Sequence, residues 1–280
     1  MCQVNHNRSN PPLPKMNRPT TVPTTTPQNT PVAFVVRKYR PGGEELGCLG
    51  ASALSADPNL LPWAHSLLVA EPTSNRVLIG HRGAVWLDLV ARGRSCHGST
   101  PELGVNAVHL LVDALANVRR WHEDNPSVHD ALGPRTLSTG TISGGVQRNV
   151  VPDSARAEID FRAGELDDWR TLGDNLAGVV GDSVDVVPNV SVGPVYSDSE
   201  AGFVRVASAI AGERGIEAPE PPVAQFITDA CVLTPSLGDV PTVIWGPGSA
   251  DLAHVVDEWC SVDEITQATA MYGELLDRYA

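Results

Sequence analysis

In the stretch AVWLDLVARG, residues 84–93, every second residue from Val85 to Ala91 is apolar, which is a period of two. That period is typical of a strand with one buried face. Residues 105–121 follow with the apolar spacing of one helix face. The apolar positions of this helix are Val108, Leu111, Val112, Leu115 and Val118. The sequence therefore predicts a strand followed by an amphipathic helix.

A second, similar pattern continues to residue 192. The stretches TLSTGTISGG (136–145) and ARAEIDFRAG (155–164) are predicted strands joined by a turn-rich loop. Residues 166–180 have helical spacing, and VDVVPNVSV (184–192) is a closing strand. The order β-α-β-β-α-β is the ferredoxin-like arrangement. We therefore expect residues 82–193 to form a compact domain, with an antiparallel sheet covered on one face.

The flanking sequence has a different pattern. VAFVV (32–36), LLVA (67–70) and TVIW (242–245) are short, continuous apolar runs. Such runs are typical of strands buried on both faces of a parallel sheet. Helical patterns occupy residues 201–214 and 262–279. The prediction is an α/β domain, residues 32–81 and 194–280, interrupted by the inserted α+β domain.

Composition narrows the function classes. The 280 residues carry a net charge of −13, which argues against a nucleic-acid partner. No apolar run approaches the roughly 20 residues of a membrane helix, and no secretory signal is recognisable. The cysteines are scattered, without paired spacing: Cys2, Cys48, Cys96, Cys231 and Cys260. We therefore expect a reducing, cytoplasmic location.

The first residues differ in composition from the rest of the chain. Residues 1–43 contain no Asp or Glu and six Lys or Arg. Residues 9–31 are rich in Pro, Thr and Asn and poor in apolar side chains. Such a segment buries too little apolar surface to offset the entropy lost on ordering. The sequence predicts a disordered tail over residues 1–31.

Candidate metal ligands follow each of the three apolar runs. They are Glu44 and Glu45 after the first, Glu71 after the second and His254 after the third. Parallel strands present their carboxyl ends at one edge of a sheet, where sites form. Carboxylate and imidazole suit zinc, and a neighbouring Glu can act as a base. Each of these residues alone is more typical of a solvated turn. The pattern by itself therefore leaves open whether they form a metal site or lie on the surface.

Longer motifs carry a family resemblance. They are GEELGCLGA (43–51), AEPTSNRVLIGHRGAVWLDLVARGRSCHGSTPELGVNA (70–107), GTISGGVQRNVVPDSARAEIDFR (140–162), TDA (228–230) and WGPGSADLAHVVDEW (245–259). In their order and spacing, from about Val32 to the C-terminus, the chain resembles the acetylornithine deacetylase and succinyl-diaminopimelate desuccinylase family of zinc aminoacylases and carboxypeptidases. The resemblance implies an α/β zinc-hydrolase domain with an inserted ferredoxin-like dimerisation lid.

The resemblance also implies roles for the candidate ligands. Glu44 matches the general base of the family, and Glu45 matches a ligand that shares one zinc with His254. Glu71 matches a ligand of the other zinc. The family binds two Zn²⁺ per subunit, and Co²⁺ or Mn²⁺ can take their place. The implied reaction is hydrolysis of the amide bond of an N-acyl amino acid or a short peptide.

The lid motifs imply a homodimer. His97 matches a histidine that enters the site of the partner subunit and stabilises the oxyanion. Asn149 and Arg162 match positions that hold the substrate, and Thr228 matches a position that lines the pocket.

One part of the family pattern has no match. The family places a histidine and a bridging aspartate on strands well before the glutamate pair. Here no acid precedes Glu44, and His6 is the only earlier histidine. We therefore expect a catalytic domain that is incomplete at its N-terminus. The alternative to an active hydrolase is a catalytically inactive remnant that keeps the lid and a partial metal site.

Overall fold

The computed structural model describes residues 33–35, 48–56, 64–164, 168–253 and 255–279. The strands are β1 (Ala33–Val35), β2 (Leu67–Val69), β3 (Gly80–His81), β4 (Gly83–Arg92), β5 (Val128–His129), β6 (Gly133–Pro134), β7 (Thr136–Gly144), β8 (Ser154–Ala163), β9 (Val184–Val192), β10 (Val195–Tyr196), β11 (Val223–Ala224) and β12 (Thr242–Ile244). The α-helices are α1 (Leu49–Ser55), α2 (Ala107–Asp124), α3 (Asp168–Val180), α4 (Gly202–Gly212), α5 (Ala230–Ser236) and α6 (Val262–Tyr279). Short 3₁₀ turns cover Pro101–Leu103 and Ala250–Leu252.

The inserted part forms one four-stranded sheet in the order β7-β8-β4-β9. All three neighbouring pairs are antiparallel. The ladder between β4 and β8 is continuous from the Gly83–Ala163 pair to the Arg92–Ser154 pair. With α2 and α3 as its two crossovers, this sheet confirms the predicted ferredoxin-like arrangement.

Helices α2 and α3 cover one face of this sheet. Leu87 and Phe161 from the strands pack with Leu111 of α2 and Leu172 of α3, and all four side chains are fully buried. Each such side chain contributes about 2 kcal/mol through removal of apolar surface from water. Alternate residues of β4 and β8 therefore face the helices, and the residues between them lie on the opposite, open face of the sheet.

Strand β4 departs from the half-buried pattern that its sequence predicts. Ala84 and Asp88 lie on the open face, yet both are buried. The reason is that β4 is a central strand between β8 and β9, and the guanidinium of Arg156 covers Asp88 at 2.6 Å. Neighbouring strands bury these residues of the open face, and the alternation of apolar residues in the sequence does not reveal which strands are neighbours.

The flanking segments form the predicted parallel sheet. Strand β2 pairs in parallel with β1 on one side and with β12 on the other. Helices α4 and α6 pack on this sheet through Phe203 and Met271, which are fully buried against Trp245. None of the helices in the described ranges is long and apolar enough to cross a membrane.

A third sheet, which the sequence analysis did not predict, joins the two parts of the chain. Its order is β10-β3-β11, and each strand has two residues. His81 at the end of β3 is completely buried, and its Nδ1 lies 2.8 Å from the carbonyl oxygen of Arg82. Burial and the nearby charge of Arg162 lower the pKa of His81 from 6.5 to about 4. The fold therefore holds this imidazole in its neutral form.

This buried imidazole predicts an acid-sensitive stability. Because the folded pKa lies below the unfolded one, the stabilisation is complete above pH 6.5 and is lost as the pH falls toward 4. Between pH 7.5 and pH 5 we expect His81 to account for a loss of about 2 kcal/mol in the free energy of unfolding. Urea unfolding of the wild type and of His81→Asn at both pH values measures it.

The exposed His109 on α2 provides the matched control. We expect His109→Asn to keep the pH dependence of the wild type, whereas His81→Asn loses most of it. Equal pH dependence in all three proteins would contradict the burial argument.

Candidate active site

Two loops at the carboxyl ends of the parallel strands are joined by hydrogen bonds. The loop after β2 contains Thr73 and Asn75, and the loop after β12 contains Gly246. The amide of Gly246 donates to Thr73 Oγ1 at 3.1 Å, and the amide of Asn75 donates to the Gly246 carbonyl at 2.8 Å. Trp245 Nε1 donates to the Asn75 carbonyl at 2.7 Å. The ends of β2 and β12 therefore hold each other in place.

Glu71 lies at the point where these loops touch. It follows β2 by two residues and is 6% exposed. A Cβ atom at position 246 would lie 2.6 Å from the Glu71 carbonyl oxygen, closer than real side chains come. Only glycine permits this approach. The contact places Glu71, which is buried, beside the loop that begins at Gly246.

The remaining metal-site predictions lie outside the described residues. They concern Glu44, Glu45 and His254. Within the ranges that the structure describes, no three His, Cys, Asp or Glu side chains are grouped so that they could hold a metal ion. Glu71 is thus the one predicted ligand whose position the structure gives.

The chain directly after the glutamate pair is anchored at Cys48. Cys48 is fully buried, and its Sγ lies 3.6 Å from Cys231 Sγ and 3.8 Å from the Thr228 carbonyl oxygen. The hydrogen bond with Cys231, burial and the nearby Asp229 raise the pKa of the Cys48 thiol. The thiol is therefore protonated at neutral pH and acts as a small buried group rather than as a nucleophile.

Thr228 is fully buried beside Cys48. Its Oγ1 accepts a hydrogen bond from the amide of Ala230 at 3.1 Å, at the start of α5. The hydroxyl thus satisfies one of the free amides of a helix start. The structure brings Thr228 into contact with Cys48, which follows Glu45 by three positions in the sequence.

His97 and Asn149 lie side by side at one end of the lid sheet. His97 forms a β-bridge with Val150, and the amide of Gly98 donates to the Asn149 carbonyl at 2.8 Å. A Cβ atom at position 98 would lie 3.0 Å from the Asn149 carbonyl group, so a side chain there would push the two segments apart. Both His97 and Asn149 are exposed to solvent.

The hydrogen bonds of His97 select its tautomer. The amide of Ser99 donates to His97 Nδ1 at 3.2 Å, and Ser99 Oγ lies 2.7 Å from the same atom. An amide can only donate, so Nδ1 carries a lone pair and the neutral ring carries its proton on Nε2. The exposed Nε2–H is consequently available as a hydrogen-bond donor.

Arg162 lies at the opposite end of the same sheet. It pairs with Ala84 near the start of β4, whereas His97 and Asn149 lie beyond the Arg92–Ser154 pair. Eight residues of extended strand separate Ser154 from Arg162, which corresponds to about 27 Å. Within one chain the lid therefore keeps Arg162 far from His97 and Asn149.

The guanidinium of Arg162 has a partner that the sequence analysis missed. Its Nε and Nη2 donate to Asp160 Oδ2 at 3.2 Å and 2.9 Å. A signal was present, because residues two apart in a strand point to the same face. The three-residue stretch DFR (160–162) could thus have predicted the pair.

Sequence comparison gives a domain family and full-length relatives. Residues 79–184 match the peptidase dimerisation domain family M20_dimer. The chain is 32% identical over 255 residues to a probable carboxypeptidase from Aspergillus clavatus, covering 84% of this chain and 53% of that protein. It is 29% identical over 268 residues to a probable carboxypeptidase from Ajellomyces dermatitidis, covering 87% and 56%. The chain spans about half the length of these curated relatives.

Structural comparison gives the same architecture. Aminopeptidase PepT from Bacillus cereus aligns with a TM-score of 0.68 at 20% identity, over 85% of this chain and 62% of that one. An M20 family metallo-carboxypeptidase from Sulfolobus solfataricus aligns with a TM-score of 0.68 at 16% identity, over 82% and 66%. The YXEP protein of Bacillus subtilis is described as a dinuclear metal binding peptidase from the M20 family. It aligns with a TM-score of 0.59 at 13% identity, over 83% of this chain and 61% of that one.

The domain match, the relatives and the shared architecture agree with one another. The chain is therefore related to the M20 peptidase family and has its fold, in which a dimerisation domain is inserted into a catalytic α/β domain.

Proposed function

We propose that this chain supplies part of a metal-dependent hydrolase that cleaves the amide bond of N-acyl amino acids or short peptides. The observation that carries the proposal is the contact between the strand-end loops of β2 and β12. That contact places the buried Glu71 beside the loop that runs to His254. The probable carboxypeptidases among the relatives support the reaction class. The narrower placement with acetylornithine deacetylases and succinyl-diaminopimelate desuccinylases belongs to this proposal.

The donor set suits zinc, with Co²⁺ or Mn²⁺ as substitutes. Glu45 and His254 would hold one ion and Glu71 the other, because carboxylate and imidazole are common zinc donors. When bound, such ions polarise a carbonyl and lower the pKa of water.

The protein residues supply proton transfer, charge stabilisation and orientation. We propose that Glu44 accepts a proton from the attacking water and passes it to the leaving amine. The Nε2–H of His97 donates to the oxygen that gains negative charge in the transition state. Asn149 and Arg162 hold the substrate, and Thr228 lines the pocket wall.

The geometry of the lid supports a site that is shared between two chains. About 27 Å of strand separates Arg162 from the end that bears His97 and Asn149. Arg162 lies beside His81 at the junction with the catalytic part of its own chain. We therefore propose a homodimer in which each lid extends His97 and Asn149 into the partner's site. The proposal includes a lid that covers residues 82–193 and a catalytic domain made of residues 32–81 and 194–280. It also includes a cytoplasmic location.

The metal assignment predicts a specific loss of zinc. Replacing Glu71 with Gln removes a charged metal donor. Even mutation of a residue that only hydrogen-bonds to a metal ligand typically lowers metal affinity by about 10- to 100-fold. We expect Glu71→Gln to lower the affinity of residues 1–280 for zinc by more than about tenfold and to abolish hydrolysis of N-acetyl amino acids. Metal titration and a ninhydrin assay measure the two effects.

Glu102 is an exposed acid in the lid and gives the matched control. We expect Glu102→Gln to leave metal affinity and turnover unchanged. If the wild-type chain binds no zinc and hydrolyses no N-acetyl amino acid, the non-catalytic alternative replaces the hydrolase.

The shared site predicts complementation between two inactive variants. His97→Ala should lower kcat by about 10²- to 10³-fold, because it removes an oxyanion donor. Glu44→Ala should also be inactive. Mixing the two should restore activity, since a hybrid dimer contains one site with both intact residues. A mixture of Glu44→Ala with His109→Ala, in which both chains keep His97, shows the activity expected when every lid is intact and half of the chains keep Glu44. Failure of the first mixture, with dimers confirmed by sedimentation, would exclude the shared site.

A further inference from the structure

Arg162 belongs to a small cluster on the open face of the lid sheet. Asp160 lies two residues before it on β8, and Trp86 is the cross-strand neighbour of Asp160 on β4. The Arg162 guanidinium lies 5.9 Å from the centre of the Trp86 ring, within cation–π range. Side-chain exposures of 28% for Arg162 and 35% for Asp160 leave the pair accessible from one side.

Asp160 holds the guanidinium in one orientation. Both Nε and Nη2 of Arg162 donate to the same oxygen, Oδ2. Within the described ranges, Arg162 Nη1 makes no hydrogen bond, so it remains a donor for a ligand. A free arginine side chain loses about 2 kcal/mol of rotamer freedom when it is fixed. Here the ion pair and the indole ring fix the side chain before any ligand arrives.

The cluster contains two buried polar atoms of opposite character. Trp86 Nε1 is a donor and Asp160 Oδ1 is an acceptor, and neither has a hydrogen-bond partner among the described residues. The neighbouring His81 is held neutral by burial and adds no positive charge. His81 also pairs with Ala224 on β11, four residues before Thr228. The cluster thus lies beside the strand that leads to Thr228, which is a predicted pocket residue.

We propose that Asp160 is a positioning residue, which orients the Arg162 guanidinium so that it binds the free carboxylate of the substrate. The inference rests on the proposed function, in which Arg162 holds the substrate. It goes further because it assigns a role to Asp160, and because it predicts that substrates without a free carboxylate gain nothing from this pair.

One effect opposes the proposed role. The carboxylate of Asp160 partly neutralises Arg162 and repels an incoming carboxylate. On a partly exposed surface, water weakens this repulsion to about 1 kcal/mol or less. Pre-organisation of a charge-assisted hydrogen bond has a larger effect, so orientation dominates over repulsion. The two effects predict opposite changes when Asp160 is removed.

The test compares binding of an acid with binding of its matching amide. Calorimetry measures the affinity of the full chain, loaded with zinc and carrying Glu44→Ala so that no substrate is hydrolysed, for N-acetyl-L-alanine and for N-acetyl-L-alaninamide. We expect Asp160→Ala to weaken binding of the acid by about tenfold and to leave binding of the amide unchanged. Asp160→Asn keeps an acceptor oxygen and should retain more affinity for the acid than Asp160→Ala. Where turnover is measurable, KM for the acid should rise while kcat changes little.

Glu158 provides a matched control on the same strand and face. It forms an ion pair with Arg156 at 3.2 Å, two residues closer to the other end of the sheet. Glu158→Ala should leave both affinities unchanged, and thermal unfolding should show that all variants fold. Tighter binding of the acid by Asp160→Ala, equal losses for acid and amide, or equal losses in Glu158→Ala would each overturn the proposal. Because binding is measured without turnover, absence of hydrolysis refutes the proposed reaction separately.

Discussion

The backbone contact between Gly246 and Glu71 brings together the two strand-end loops of the candidate site. A parallel sheet brings strand ends to one edge, but it does not fix the loops that leave them. Here the missing Cβ at Gly246 lets two loops approach closely enough to exchange amide and hydroxyl hydrogen bonds. This approach places the buried Glu71 against the loop that begins at Gly246.

The proposed shared site depends on the length of the lid sheet. The ladder between β4 and β8 is ten residue pairs long and is backed by a core of Leu, Val and Phe side chains. Such a sheet bends little, so its two ends keep their separation. One end carries an exposed histidine beside an asparagine, and the other carries an arginine that is already paired. This fixed separation is what the proposed homodimer needs, because each lid would reach the site of the partner chain.

Period and run length were enough to predict the lid and the parallel sheet. Strands of nine or ten residues and long amphipathic helices give strong signals, and β9 and α6 begin and end where their sequence patterns do. The two-residue strands β3, β10 and β11 give no periodic signal, because their pairing depends on distant segments. The same holds for the contact between Cys48 and Cys231, which are 183 residues apart. The roles of Glu44, Glu45 and His254 stay predictions.

The lid leaves and re-enters the rest of the chain at one place. Ala84, at the start of its first strand, pairs with Val192 at the end of its last strand, and β3 and β10 on either side are also neighbours. A domain whose two ends meet in this way can be inserted into a host fold without spreading the host strands. The lid is thus a cassette: exchanging it for another domain, or for a short hairpin, would leave the connections of β3 and β10 intact. Recombination could therefore change what covers the site while the strands that build the site stay the same.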